Sequence, residues 1–177
     1  MHLAVHACCA PCTLDSLSHL PAGRALFIYD NPNIHPFREY RSRRDSFLGL
    51  AQAEGLEFEV LPYRPEDWIE AVSRSSARCE ACYRLRLEAV ARHAGKRGCS
   101  ALTTTLLASP FQDHDLLNST GQAAAAASGL EWFAWDGSAG YREAVKAARD
   151  RGIYIQSWCG CILSERDRYD RSRRHAD

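Results

Sequence analysis

Short apolar runs alternate with longer stretches of helical spacing along the whole chain. Leu3-Ala4-Val5-His6-Ala7 is mostly apolar and partly β-branched, the pattern of a strand buried on both faces. Thr13-Leu14-Asp15-Ser16-Leu17-Ser18-His19-Leu20 carries apolar residues at helical intervals and stops at Pro21 and Gly23. Ala25-Leu26-Phe27-Ile28-Tyr29 predicts a second strand, residues 37–53 a helix closed by Gly55, and residues 58–63 an alternating strand with Pro62 near its end. Pro65-Glu66-Asp67-Trp68 opens a brief helix, with proline early and acids in its first turn. An amphipathic helix then runs from Cys79-Glu80-Ala81-Cys82 to Gly95 or Gly98. Residues 101–107 predict a fourth strand, 115–128 an alanine-rich helix, 130–135 a fifth strand and 141–149 a helix stopped by Gly152. Strands alternating with helices predict an α/β fold, a single-domain parallel sheet with helices on both faces.

The first strand ends in Cys8-Cys9-Ala10-Pro11-Cys12. In an open parallel sheet, ligands bind at the carboxyl ends of the strands. Pro11 removes a backbone donor and stiffens the turn that presents the sulfurs. Neighbouring side chains diverge, so Cys8 and Cys9 are expected to address two different metals. Nucleotide-binding folds of this kind use a glycine-rich turn here. This turn has no glycine, so phosphate cradling is not expected.

Seven of the eight cysteines fall in three groups, Cys8/Cys9/Cys12, Cys79/Cys82 and Cys159/Cys161. Metal ligation needs such clustering, and a scattered disulfide framework does not. The spacing of Cys79 and Cys82 puts both sulfurs on one helix face, at a helix N-terminus whose dipole favours thiolates or an anionic cluster. Cys99, before Ala101-Leu102-Thr103, reads as a small buried hydrophobe. A structural zinc site would leave three clustered thiols over, and a dithiol redox site would leave two groups unused. An iron-sulfur cluster with a second metal nearby accounts for the full set, although loop-spaced cysteines serve zinc as well and spacing by itself does not assign the metal.

Composition bounds the rest. A chain of 177 residues is read as one domain, 1–177, with a substantial core and a charged tail from about residue 166 expected to fray. Its 22 basic and 22 acidic residues cancel, so any nucleic-acid contact must come from a local basic face. No stretch is long and apolar enough to cross a bilayer, and no basic n-region precedes an apolar run, so a cytoplasmic location with reduced thiols is expected.

Several motifs together resemble the QueH-type epoxyqueuosine reductases. They are the Cys8-Cys9-Ala10-Pro11-Cys12 turn, Asn31-Pro32-Asn33-Ile34-His35-Pro36 followed by Glu39-Tyr40 and Arg43, Arg78-Cys79-Glu80-Ala81-Cys82-Tyr83 with Arg84-Leu85, Thr103-Thr104-Thr105-Leu106-Leu107-Ala108-Ser109-Pro110, and Trp158-Cys159-Gly160-Cys161 with Ser164. The resemblance implies a HUP-like (adenine nucleotide alpha hydrolase-like) fold. It implies a 4Fe-4S cluster beside a mononuclear iron and a cobalamin-independent reduction of epoxyqueuosine to queuosine at the tRNA wobble position. By the same resemblance Cys8, Cys9, Cys79, Cys82, Cys159 and Cys161 supply the thiol ligands, their division between the two metals left open. A carboxylate completes the iron site in the family near the place of Cys12, so Cys12 replaces it or Asp15 reaches in. Ile155 stands where the family usually has an arginine, between Tyr154 and Gln156.

Removing an epoxide oxygen to leave an alkene takes two electrons and two protons. The single iron would act as a Lewis acid, and a low-potential ferredoxin or flavodoxin is the expected electron donor. Tyr154, Asp136 and His35 are candidate proton donors, set against a core tyrosine, a helix cap and a loop histidine. Gln156 is a candidate substrate contact, and Trp158 would stack on the splayed base or cover the cluster. Arg38, Arg41, Arg43, Arg44, Arg84, Arg86 and, in the tail, Arg171, Arg173 and Arg174 are candidate backbone contacts, against the alternative of solvated faces. Two other functions compete: an iron-sulfur-dependent tRNA sulfur transferase, which the glycine-free turn disfavours, and a zinc-stabilised binding module.

Overall fold

Each apolar strand is followed by enough chain to cross back over the sheet, so neighbouring strands pair in parallel. The computed structural model describes residues 1–170. Its strands are β1 (His2–Ala7), β2 (Arg24–Tyr29), β3 (Glu57–Val60), β4 (Ala101–Thr104) and β5 (Glu131–Trp132), in the order β3-β2-β1-β4-β5 with every pair parallel. The helices are α1 (Ala10–Ser16), α2 (Phe37–Ala53), α3 (Pro65–Ser73), α4 (Arg78–Lys96), α5 (His114–Ala127), α6 (Tyr141–Asp150) and α7 (Ile162–Tyr169). This is the predicted α/β architecture, HUP-like, with the two faces of the sheet covered.

Alternation along the strands feeds two cores. Leu3, Val5, Phe27 and Tyr29 pack against Tyr40, Phe47 and Ala51 of α2. Ala4, Leu26, Ile28 and Leu102 pack against Leu87, Val90 and Ala94 of α4 and Leu117, Ala124 and Ala125 of α5. Full burial of each large side chain contributes about 1.5–3 kcal/mol. The chain builds outward from β1 through β2 to β3, then crosses to β4 on the other side of β1. The strand order therefore reverses between β1 and β4, and Cys8 follows β1 at that switch point.

His6 locks this edge. Its ring, fully buried, bonds Thr104 Oγ1 through Nδ1 (2.7 Å) and the Asp30 carbonyl through Nε2 (3.1 Å), which joins β1 to β4 and to the end of β2. Burial drives its pKa down to about 3, so the ring is neutral.

Four boundaries differ from the sequence reading. The first helix starts at Ala10, inside the cysteine motif, because Cys9 caps it, so Pro11 lies in the first helical turn and not in a loop. The fourth strand stops at Thr104, whose hydroxyl accepts the Leu106 amide (3.2 Å) and turns residues 105–108 into a 3₁₀ helix. The fifth strand pairs only over Glu131–Trp132. The tail expected to fray from residue 166 is helical as far as Tyr169, because Cys161 caps α7, while Arg171, Arg173 and Arg174 lie outside the described residues.

Candidate metal centre

The turn from β1 into α1 gathers the first three thiols. The Cys8 amide donates to Thr105 Oγ1 (2.9 Å), and that hydroxyl lies 3.2 Å from Cys8 Sγ. Cys9 caps α1 through its sulfur, which accepts the Cys12 amide at 3.4 Å. The sulfurs of Cys8, Cys9 and Cys12 are buried and lie within 4.8 Å of one another. Cys8 and Cys9 Sγ are 3.6 Å apart. The expected divergence of these neighbours does not occur, because the chain leaves the strand at Cys8 and turns into a helix at Cys9. Hydrogen bonds from Cys12 and Cys9 pull the Cys8 thiol well below its usual range. Burial pushes Cys9 up, and donation to Cys8 pushes Cys12 up. Cys8 is the thiolate of the trio.

The other thiols come from α4 and the C-terminal segment. Cys79 is exposed one turn before the half-buried Cys82. Cys161 packs against Cys82, Trp68, Val72 and Ala81, and its sulfur caps α7 by accepting the Ser164 amide at 3.2 Å. Cys159 Sγ lies 3.0 Å from Ser164 Oγ, and its pKa falls to about 5 through a hydrogen bond from Cys161, whose own thiol is pushed up.

Arg86 joins the two groups. It is 3% exposed, with Nη1 3.9 Å from Cys82 Sγ and Nη2 donating to Asn31 Oδ1, while Asn31 Nδ2 is anchored on the Ala7 carbonyl at 2.9 Å. Burial opposes its charge, yet Cys82, Cys8 and Cys159 hold it protonated. The sequence reading counted Arg86 among tRNA backbone contacts. Its position four residues beyond Cys82 was the available signal, since i and i+4 share a helix face.

A polar clamp pins the segment that carries Cys159 and Cys161. Arg43 Nε donates to Glu39 Oε1 (2.6 Å), Arg43 Nη2 to the Trp158 carbonyl (3.1 Å), and Tyr154 Oη to Glu39 Oε2 (2.7 Å). The Arg43 guanidinium also sits 5.3 Å from the centre of the Trp158 ring. The His35 amide donates to the Gly160 carbonyl (2.8 Å), and Gln156 Nε2 lies 2.8 Å from Cys9 Sγ. Arg43 is buried and committed to this clamp, so it is not presented to a solvent-borne phosphate. Glu39, Asn31, Thr105 and Ser164, noted in sequence only as parts of motifs, are the groups that orient the thiols.

The remaining candidates are dispersed. Asp15 is 7% exposed, with Oδ2 unbonded, His19 Nε2 3.8 Å away and burial raising its pKa. Asp136 is exposed and accepts from the Ser138 amide (2.9 Å) and hydroxyl (2.6 Å), which lower its pKa. His35 packs against Trp68 with the rings tilted by 52° and their centroids 4.9 Å apart, and burial lowers its pKa. Arg38 and Arg84 are exposed, Arg44 pairs with Asp45, and Cys99 is buried at the start of β4 with its sulfur 3.7 Å from His2 Nε2.

A parallel HUP-like sheet with thiols gathered at its switch point defines a thiol-lined α/β protein, with three sulfurs close enough together to share a metal ion. The family model described as epoxyqueuosine reductase QueH matches residues 3–167, and the chain belongs to that family. An epoxyqueuosine reductase QueH of Thermotoga maritima is 34% identical over 98% of this chain and 93% of its own length. One from Dehalococcoides mccartyi is 32% identical over 94% of each chain, and one from Haemophilus influenzae is 29% identical over 93% of this chain and 72% of its own.

Proposed function

We propose that the chain is an oxidoreductase that reduces epoxyqueuosine to queuosine at the wobble position of tRNA. Two electrons and two protons convert the epoxide to an alkene, and its oxygen leaves as water. The observation that carries the reading is the convergence of Cys8, Cys9 and Cys12 within 4.8 Å at the switch point of the sheet, with Arg86 linking them to Cys82 and Cys159. Family membership supports the same substrate.

A thiol donor set in which Cys8, Cys9, Cys12 and Cys161 are buried, with amide and hydroxyl hydrogen bonds to sulfur, suits iron-sulfur chemistry. Cys8, Cys9, Cys79, Cys82, Cys159 and Cys161 would hold a 4Fe-4S cluster and a mononuclear iron, with Cys12 or Asp15 completing the iron site. When bound, these groups supply one-electron transfer and a Lewis acid for the epoxide oxygen. Arg86 balances the thiolate charge. Gln156 orients Cys9 and offers its unbonded Oε1 to substrate. Tyr154 is the proposed proton donor, since burial and its bond to Glu39 push its pKa up to about 12 and keep it protonated. Asp136 is ionised and His35 neutral near pH 7, which leaves both less suited to that role. Exposed Arg38 and Arg84 are proposed to meet the tRNA backbone, and Trp158 to flank the base. A low-potential ferredoxin or flavodoxin in the cytoplasm is the proposed electron source. Among the described residues, no helix is long and apolar enough to cross a membrane.

The test is anaerobic. Reconstituted protein, a low-potential reductant and epoxyqueuosine-containing tRNA are expected to yield queuosine, with iron and acid-labile sulfide each near four or more per chain. A colourless protein with stoichiometric zinc, or an intact cluster that forms no queuosine, overturns the reading.

A further inference from the structure

Away from the thiols, α4 and the ends of β2 and β3 enclose a cleft of about 210 Å³ lined by Asp30, Leu61, Pro62, Arg64, Ala89, Arg92, His93 and Lys96. Its rim is cationic. Arg64, Arg92 and Lys96 are exposed, and Lys96 forms no ion pair among the described residues. Arg64 pairs with Asp67 at 3.0 Å, Arg92 lies 3.7 Å from Glu88, and His93 bonds Glu59 at 2.6 Å. The pairs of Arg64 and Arg92 are solvent-exposed, so each costs little to exchange for another anion. The floor is different. Asp30 is 8% exposed, and its carboxylate makes no hydrogen bond among the described residues, although its backbone carbonyl holds His6. A carboxylate with so little exposure and no protein donor gains when a hydrogen-bond donor enters the cleft.

We propose that this cleft is a subsite for one ribonucleotide of the RNA substrate outside the reacting base, with its phosphate on Arg64, Arg92 and Lys96 and a hydroxyl or amino donor of its sugar or base on Asp30. The proposal rests on the function assigned above and extends that RNA's footprint along α4. A nucleotide offers an anion and a hydrogen-bond donor within one small group, which matches a cationic rim above a buried acceptor. The acidic face of a protein electron carrier offers carboxylates alone, which Asp30 repels. The cleft also adjoins the metal centre. Asp30 precedes Asn31, whose side chain holds Arg86 against Cys82, and Ala89 lies about 10 Å along α4 from Cys82 at 1.5 Å rise per residue.

Binding of an anticodon stem-loop RNA by fluorescence anisotropy, across a salt series at pH 8, tests this on the full chain. Lys96→Glu with Arg92→Glu is expected to weaken binding at least tenfold, to flatten the salt dependence, and to raise KM for the tRNA in the reductase assay. Asp30→Asn separates a built subsite from a generic basic surface. Removing a negative charge strengthens RNA binding to a generic surface, whereas the subsite loses an acceptor and binds at least threefold more weakly. Unchanged or tighter binding by Asp30→Asn overturns the proposal. So does unchanged binding by Lys96→Glu with Arg92→Glu, and so does a defect seen only when a protein carrier replaces a chemical reductant. If wild-type protein forms no queuosine while the binding losses occur, the reaction assigned above fails and the subsite stands.

Discussion

Arg86 Nη1 lies 3.9 Å from Cys82 Sγ inside the protein, and the same guanidinium bonds Asn31 and faces Cys8 and Cys159. One buried cation therefore faces two thiols drawn toward the thiolate, Cys8 and Cys159, and a third, Cys82, that burial keeps protonated. In metal-free reduced protein, Arg86→Met leaves that negative charge and the Asn31 carbonyl unpaired. The expected loss of stability is about 3 kcal/mol, the scale for removing one partner of a buried charge pair. Urea denaturation under reductant measures it, and a loss below about 0.5 kcal/mol contradicts the role.

Gly160 sits between Cys159 and Cys161 with φ of +114°, a conformation that residues with a Cβ rarely adopt. A Cβ there would lie 2.8 Å from Ile34 Cγ1 and 3.1 Å from Arg43 Nη1. Gly160→Ala must displace Ile34 or the segment that carries the two thiols, and it crowds the Arg43 clamp. Its expected cost is about 1–3 kcal/mol of strain, with bound iron and sulfide after reconstitution below the wild-type content. Full metal loading with wild-type stability would show that the clamp does not set the thiol positions.

Burial raises the Asp30 carboxyl to about 6 from an ordinary 3.8. The folded state then binds this proton more tightly than the unfolded state, so stability falls as pH rises between these values, and the full penalty is present above about 6. Asp30→Asn is expected to stabilise the protein at pH 8 by up to about 3 kcal/mol and to give no gain below about pH 4. The difference in urea midpoint between variant and wild type across that range reads it directly. His6 titrates in both proteins and largely cancels in the difference.

Tyr154 is 39% exposed and bonded through its hydroxyl to Glu39, so Tyr154→Phe removes a proton without opening a cavity. The single-turnover rate of queuosine formation is expected to drop on the order of 100-fold while tRNA affinity is retained. A rate within about twofold of wild type assigns the proton to another group.

Much of the fold was legible because its signals are local. Buried parallel strands require continuous apolar runs such as residues 25–29, and helices that cover a sheet require stripes such as those of residues 37–53. Boundaries were misread where a side chain competes for a backbone group. Cys9 as a cap, Thr104 bonding the Leu106 amide and Cys161 starting α7 are interactions that no hydrophobic pattern encodes.

The site divides along the same line. The sequence by itself determined the architecture, the gathering of thiols at a strand's carboxyl end and the family, because each lies in residue type and spacing within a few positions. Only the tertiary structure decided that Cys8 and Cys9 converge, that Arg86 and Arg43 are buried counter-charges, and that Asp136 stands apart on Ser138. The burial of the two arginines depends on contacts between residues as far apart as Arg43 and Trp158. Whether a charged side chain meets water or another charge is settled by what packs over it, which spacing along the chain does not specify.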